Sequence, residues 1–414
     1  ALALTAALVV GMTLPAFAKE WYIEDGNISI SAGESGNKVT QNGEEKASND
    51  TNTIITNHDS STASSNSVTI DAGEGKTVDV TLENVNIDAS SGAAVSVTGK
   101  GDTNIELNGN NTLTSGSGHA GLEHNKETNS EGNETSGTLT ITDNNNNGKL
   151  TANGGSGGAG IGGGYANDGQ VTITGGTITA TGTNSGAGIG GGKASANANG
   201  QVDGGDGDVT ITGGTITATG DSWGAGIGGG YGGNGNVEIT GGEITATGGF
   251  YAAGIGGGAA VNYPDGPRFG ADGNVTIKGD AVIKNAQGDY YGAGIGGGYR
   301  GDGDVEISGS AVIENAESER YGAGIGGGFL GNGNVTIKDN AKIDNATGGE
   351  QSAGIGGGIG AFGDVTIEGN VTINAQGGTG ASGIGGGAQA EPDDNGTGSN
   401  QISIKSTAAG SPNI

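Results

Sequence analysis

Apolar and polar residues alternate in short runs along most of this chain. Val78-Asp79-Val80-Thr81-Leu82, Val85-Asn86-Ile87, Ala94-Val95-Ser96-Val97, Ile105-Glu106-Leu107 and Leu139-Thr140-Ile141 each put aliphatic residues on one side and polar ones on the other. A period of two is the signature of half-buried strands. From about residue 151 the runs become a repeat: Val171-Thr172-Ile173, then Thr177-Ile178-Thr179-Ala180, then Ala187-Gly188-Ile189-Gly190. Gly pairs such as Gly175-Gly176 punctuate the runs as turns.

The third run lies in a glycine motif, Ala-Gly-Ile-Gly-Gly-Gly, whose isoleucine recurs as Ile161, Ile189, Ile227, Ile255, Ile295, Ile325, Ile355 and Ile384. Successive steps are 28, 38, 28, 40, 30, 30 and 29 residues. The period is therefore 28–30, with two insertions of about ten residues, Lys193 to Gly207 and Ala259 to Ala271. Insertions that leave the flanking repeat intact belong on projecting loops. Three short strands per period make one coil of an all-β, right-handed parallel β-helix, or β-solenoid, with like strands stacking at ~4.8 Å. No coil can bury its inner face alone, so stability comes from stacking.

Four segments follow. Residues 1–18 read as part of a signal peptide: Ala1 to Val10 is apolar, Pro15 breaks the run, and Ala16-Phe17-Ala18 supplies a small-x-small cleavage pattern. Residues 19–150 read as degenerate coils with a cap near Trp21, Tyr22 and Ile23, and Thr51 to Ser67 and Glu123 to Ser136 as polar loops. Residues 151–390 are the regular repeat, and 391–414 an acidic, turn-rich tail with one more strand at Gln401 to Lys405. Export implies a secreted or cell-surface protein.

Composition sharpens this picture. Of 414 residues 96 are Gly, 5 are Pro and none is Cys, and 4% are aromatic. Glycine without a three-residue period excludes collagen, and the ordered Val/Ile/Ala pattern excludes a disordered tract. Without Cys, an exported fold relies on repetition rather than disulfides. A net charge of −29 disfavours nucleic acid and anionic membranes, and permits cations, neutral polysaccharide and protein partners.

Candidate chemistry is sparse. The outward positions of the first strand are Thr172, Thr210, Glu238, Thr276, Glu306, Thr336 and Thr366. Glu238 and Glu306 lie two coils apart, about 10 Å by strand spacing, with no further group converging on them. The three Arg (Arg268, Arg300, Arg320) are scattered, and His58, His119 and His124 fall outside the regular repeat. His119-Ala-Gly-Leu-Glu123-His124 lacks metalloprotease spacing. No catalytic residue is assigned.

Two binding patterns remain. An Asx-Gly-Asx element precedes the first strand, contributing Asp206, Asp208, Asp272, Asp302 and Asp304 with Asn interleaved. Stacked, these oxygens suit calcium; the same residues also suit plain turn chemistry. Aromatic residues stand just before the glycine motif, at Trp223, Tyr251, Tyr291 and Tyr321, and just after it, at Tyr165, Tyr231, Tyr299 and Phe329. With Ala and Ile inward, the motif's glycines are expected to face outward as a bare strip between two ring columns, suited to an extended glycan. The alternative is that the rings seal a corner of the core.

The repeated Gly-Ala-Gly-Ile-Gly-Gly-Gly, with Gly-Gly-Thr-Ile-Thr-Ala-Thr-Gly between copies, resembles a family of secreted β-helical proteins of anaerobic Gram-positive bacteria. The run Val78 to Leu113 is similar to that family's opening coils, and together the likeness covers most of residues 68–388. It implies carbohydrate binding, and a related β-helix type holds plant-wall polysaccharide with calcium. No ligand residue transfers onto this sequence. The expectation is a non-catalytic, polysaccharide-binding solenoid. A structural or adhesive stalk is the alternative, with ice binding through stacked Thr-x-Thr pairs and a lyase or hydrolase behind it.

Overall fold

The computed structural model describes residues 19–196, 202–203, 205–260, 271–390, 400–405 and 412–414. Residues 1–18, expected as part of a signal peptide, the middle of both insertions and the acidic stretch 391–399 lie outside the described residues. The chain is a right-handed parallel β-helix. Three sheets of 13, 11 and 14 strands run along the axis among the described residues, and the coils of the regular repeat contribute to all three.

Register is strict. In the first sheet Val171 pairs with Val209, Val237 and Val275 in turn, and Ile173 with Ile211, Ile239 and Ile277. In the third sheet the motif isoleucines form one column, Ile161↔Ile189↔Ile227↔Ile255↔Ile295↔Ile325↔Ile355↔Ile384. From Ile161 to Ile355 this column is fully buried. A side-chain period of two makes any one-residue slip turn these isoleucines to solvent, which is why the register holds.

Residues 19–150 stack on the same sheets. Lys19–Tyr22, Thr53–Thr56, Thr77–Glu83, Asp102–Asn108 and Leu139–Thr142 continue the first sheet into Gly169–Ile173. Two segments expected as loops are partly strand. Thr53-Ile54-Ile55-Thr56 is buried throughout, with Asn37 Nδ2 donating to Thr53 Oγ1 at 2.9 Å. Leu122–His124 is a buried strand of the third sheet. Neither alternates: Ile54 and Ile55 are buried side by side, and Glu123 and His124 are buried with partners inside the protein, the Ala120 N–H and the Gln170 carbonyl.

The N-terminal end is closed by antiparallel strands. Ile28–Ala32 pairs with Asn37–Gln41, which pairs with Glu44–Asp50, the last strand of the third sheet. Exposed Glu44, Glu45 and Lys46 blunt that edge against further pairing. Trp21 sits under the cap at 3% exposure, its Nε1 donating to Asp50 Oδ2 at 2.7 Å. The first insertion carries a two-residue antiparallel pair, Ser195–Ala196 with Val202–Asp203.

The second sheet changes character at residue 282. Asn315 donates from Nδ2 to Asn285 Oδ1, and Asn345 to Asn315 Oδ1, both at 2.6 Å. This stacked amide ladder replaces the Thr-Ala-Thr of earlier coils and shifts the register between Ile244 and Thr245.

Candidate functional site

The glycine motif does not form an open floor. Only its Ile and the following Gly are strand, and residues 224–230 are all buried. Gly228 has φ +127°, and a Cβ there would lie 2.1 Å from the carbonyl oxygen of Gly256 one coil on. The same contact recurs at Gly190 and Gly256, so these glycines are demanded by the neighbouring backbone rather than by a ligand. The expected bare strip is therefore filled by stacked main chain.

The motif also folds back on itself. Ala225 N–H donates to the Gly229 carbonyl, and Ala253 N–H to that of Gly257. The positions four before and four after each isoleucine thereby meet on one edge. Backbone bonds knit them across coils: Tyr231 N–H to Ser185 O, Tyr299 N–H to Tyr251 O and Phe329 N–H to Tyr291 O, at 2.7–2.9 Å. The two aromatic columns are adjacent, not separated by a strip.

The rings form one continuous block. Tyr251 and Tyr291 stack with centroids 5.0 Å apart, and Tyr299 and Phe329 at 5.6 Å. Edge contacts join the columns, Tyr251 with Tyr299 at 5.3 Å and Tyr291 with Phe329 at 5.1 Å. Trp223 leans on Tyr231 at 4.7 Å, and Tyr321 meets Phe329 at 6.0 Å. A third column runs beside them: Phe250 stacks on Tyr290 at 4.8 Å, and Arg320 continues it over the Tyr290 ring at 4.7 Å. Phe250 and Tyr290 were legible only as the first members of Phe-Tyr and Tyr-Tyr pairs at a constant offset from the motif.

Exposure is uneven across the block. Phe250 is 41% and Trp223 36% exposed, whereas Tyr251, Tyr291, Tyr299 and Phe329 are half-buried. Burial among its tyrosine neighbours pushes the Tyr291 phenol above its usual range. Tyr165 stands apart at 46% exposure, against Gly157 of its own coil and stacked on no other ring among the described residues.

The Asx-Gly-Asx turns build two ladders. In the first each side chain caps the next coil. Asp206 Oδ1 accepts from the Asn234 N–H at 2.7 Å, Asp272 Oδ1 from Asp302 at 2.9 Å and Asp302 Oδ1 from Asn332 at 2.6 Å. In the second Asn236 Nδ2 donates to Asp208 at 2.7 Å and Asn334 Nδ2 to Asp304 at 3.0 Å. Each named carboxylate thus has a structural partner, and among the described residues no three His, Cys, Asp or Glu gather as a metal-holding group. Asp206 is the electrostatic outlier. Burial, and then Asp168 and Asp208, push its carboxyl up to about 6 against the opposing pull of the Asn234 N–H.

The outer carboxylates of the first sheet are paired. Glu238 meets Lys278 at 2.6 Å and Glu306 meets Lys338 at 2.8 Å. The histidine cluster is a local brace: Glu123, 7% exposed, accepts from the Ala120 N–H at 3.0 Å and sits 2.9 Å from His119 Nδ1. His124 is buried, which lowers its pKa.

The beta helix repeat family matches the chain in seven segments, residues 146–165, 171–193, 209–231, 237–259, 275–299, 305–329 and 335–359. The segments follow the coils of the regular repeat, and with the three sheets they identify a parallel β-helix protein. No curated protein and no solved structure matches the chain.

Proposed function

We propose that this protein is a non-catalytic, extracellular polysaccharide-binding β-helix of the secreted glycine-repeat kind, and that its contact surface is the ring-bearing edge. One observation carries the reading. In a chain only 4% aromatic, nine rings gather on one edge along consecutive coils, with Trp223 and Phe250 presented at its rim. Aromatic faces pack well on the apolar faces of sugars, and Phe250, 41% exposed, has Tyr290 as its single face-to-face partner among the described residues. The interior rings supply a rigid platform, which lowers the entropic cost of binding. The lysine-paired Glu238 and Glu306 support a non-catalytic role, since neither is a lone acid or base.

A second reading, a structural or adhesive stalk, is favoured by the backbone bonds knitting the ring columns between coils. Affinity electrophoresis in gels of xylan, glucomannan, β-glucan and pectin separates the two. Trp223→Ala with Phe250→Ala is expected to abolish retardation with melting nearly unchanged. Full retardation by the double variant removes the edge as the site, and no retardation of the wild type in any gel leaves the stalk.

A further inference from the structure

A second surface, sharing no residue with the ring-bearing edge, has the makings of a ligand site. The outer face of the first sheet carries a shallow groove of about 330 Å³ across four successive coils. That is the small end of the range for ligand clefts, ~300–1,000 Å³. Gln170, Asp208, Asn236 and Asn274 form one row of its lining, and Thr172, Thr210, Glu238 and Thr276 a second. Strand pairing sets these residues in register, Thr172↔Thr210↔Glu238↔Thr276, so one polar group recurs per coil.

The groove is walled where a polar excursion returns to the sheet. The segment from Asn125 to Ser136 lies against its N-terminal half. Lys126 N–H donates to the Asp168 carbonyl at 3.0 Å, the Lys126 ammonium binds Asp208, and Gln170 Nε2 donates to Glu134 Oε1 at 2.6 Å.

Charge and hydrogen bonding define what fits. The two carboxylates in the groove, Asp208 and Glu238, are matched by Lys126 and Lys278. With Glu134 of the wall the groove holds three carboxylates against two ammonium groups, a formal charge of −1, which disfavours an anionic ligand. The hydroxyls of Thr172, Thr210 and Thr276 have no side-chain partner among the described residues. Asn236 donates one amide hydrogen to Asp208 and accepts one from Asn274, Asn274 donates that one, and each keeps a second amide hydrogen and a carbonyl lone pair for a ligand. A row of donors and acceptors at ~4.8 Å intervals, without an aromatic platform, fits a neutral, polyhydroxylated chain lying along the axis. From this geometry we infer that the groove binds a short run of a neutral glycan by hydrogen bonds, separately from the ring-bearing edge.

Titration calorimetry with cellohexaose, xylohexaose and mannohexaose, and with oligogalacturonate as the anionic comparison, tests this. The wild type is expected to bind at least one neutral hexasaccharide more tightly than oligogalacturonate. Thr210→Trp, which fills the groove from an outward position, is expected to weaken that binding at least ten-fold with an unchanged melting temperature. Asn236→Ala, which removes groups without filling space, is expected to weaken it by a smaller factor. Trp223→Ala with Phe250→Ala leaves it intact. Unaltered affinity in both groove variants, preference for oligogalacturonate, or no hexasaccharide binding by the wild type overturns the inference. Loss confined to the ring variants overturns it while sustaining the edge, and loss confined to the groove variants does the reverse.

Discussion

Tyr251 and Tyr291 lie face to face, one coil apart, with ring centroids 5.0 Å apart and planes within 10° of parallel. That spacing is the strand separation of the sheet beneath them, so the stack follows directly from the Ile255↔Ile295 register. The energetic consequence is a division of labour within the ring block. Tyr291 touches Phe250, Tyr251, Tyr290, Tyr299, Tyr321 and Phe329, while Phe250 is rim. Tyr291→Ala is expected to cost about 2–4 kcal/mol in urea unfolding, near the range for truncating a packed aromatic. Phe250→Ala should cost under about 1 kcal/mol. Equal losses would place the two rings in one environment, contrary to the packing.

Gly228 tests the backbone account of the glycine motif. Its φ of +127° and the Gly256 oxygen 2.1 Å from a built Cβ leave no room for a side chain. Gly228→Ala is expected to destabilise by about 3 kcal/mol or more, combining conformational strain with loss of coil stacking. Gly73→Ala, where the nearest atom is a flexible Lys76 carbon at 3.9 Å, should change stability by about 0.5 kcal/mol or less. A tolerated alanine at 228 would contradict the stacked-main-chain reading.

Asp206 predicts a pH dependence of defined sign. Its folded pKa, about 6, lies above the ordinary value of 3.8. The folded state therefore holds the proton more tightly, and this contribution to stability is present at low pH and lost as pH rises from about 4 through about 6. Asparagine fills the same ladder position at Asn234 and Asn332 and keeps the accepting oxygen. Asp206→Asn should raise stability at pH 7.5 by about 1–2 kcal/mol and make little difference at pH 4. Thermal melts at both pH values decide it; an identical difference at each would dismiss the effect.

The amide ladder of the later coils is separable from the core. Asn315 both donates to Asn285 and accepts from Asn345. Asn315→Ala breaks both bonds and leaves two half-buried amides short of a partner, at an expected cost of about 1–3 kcal/mol. A melting temperature equal to wild type would show that water replaces the ladder at no cost.

Calcium addresses the Asx columns. Their carboxylates cap the backbone and amides of the next coil, and these ladders by themselves imply the same melting temperature in calcium and in chelator. A calcium-dependent rise that disappears in Asp302→Asn with Asp304→Asn would instead assign the columns to a cation, by mass action on the folded state.

The architecture was legible in sequence because inward Val, Ile and Ala recur with period two inside a period of 28–30 residues, and only stacked coils bury such a pattern. The Asn ladder was legible for the same reason, through Asn285, Asn315 and Asn345 at one offset. Thr53–Thr56 and Leu122–His124 were not, since adjacent buried Ile54 and Ile55, and buried Glu123 and His124 with partners inside the protein, erase the alternation that marks a strand. The candidate site depended still more on tertiary structure. Ala-Gly-Ile-Gly reads as extended chain, yet glycine takes positive φ as readily as negative, and the local sequence does not fix which. The next coil decides it: the carbonyl of Gly256 admits no side chain at Gly228, and the motif doubles back until Tyr251 meets Tyr299. Sequence thus determined which residues share a column. Only packing between coils determined that the ring columns touch, that the glycines lie beneath backbone, and that a polar groove opens on a different face.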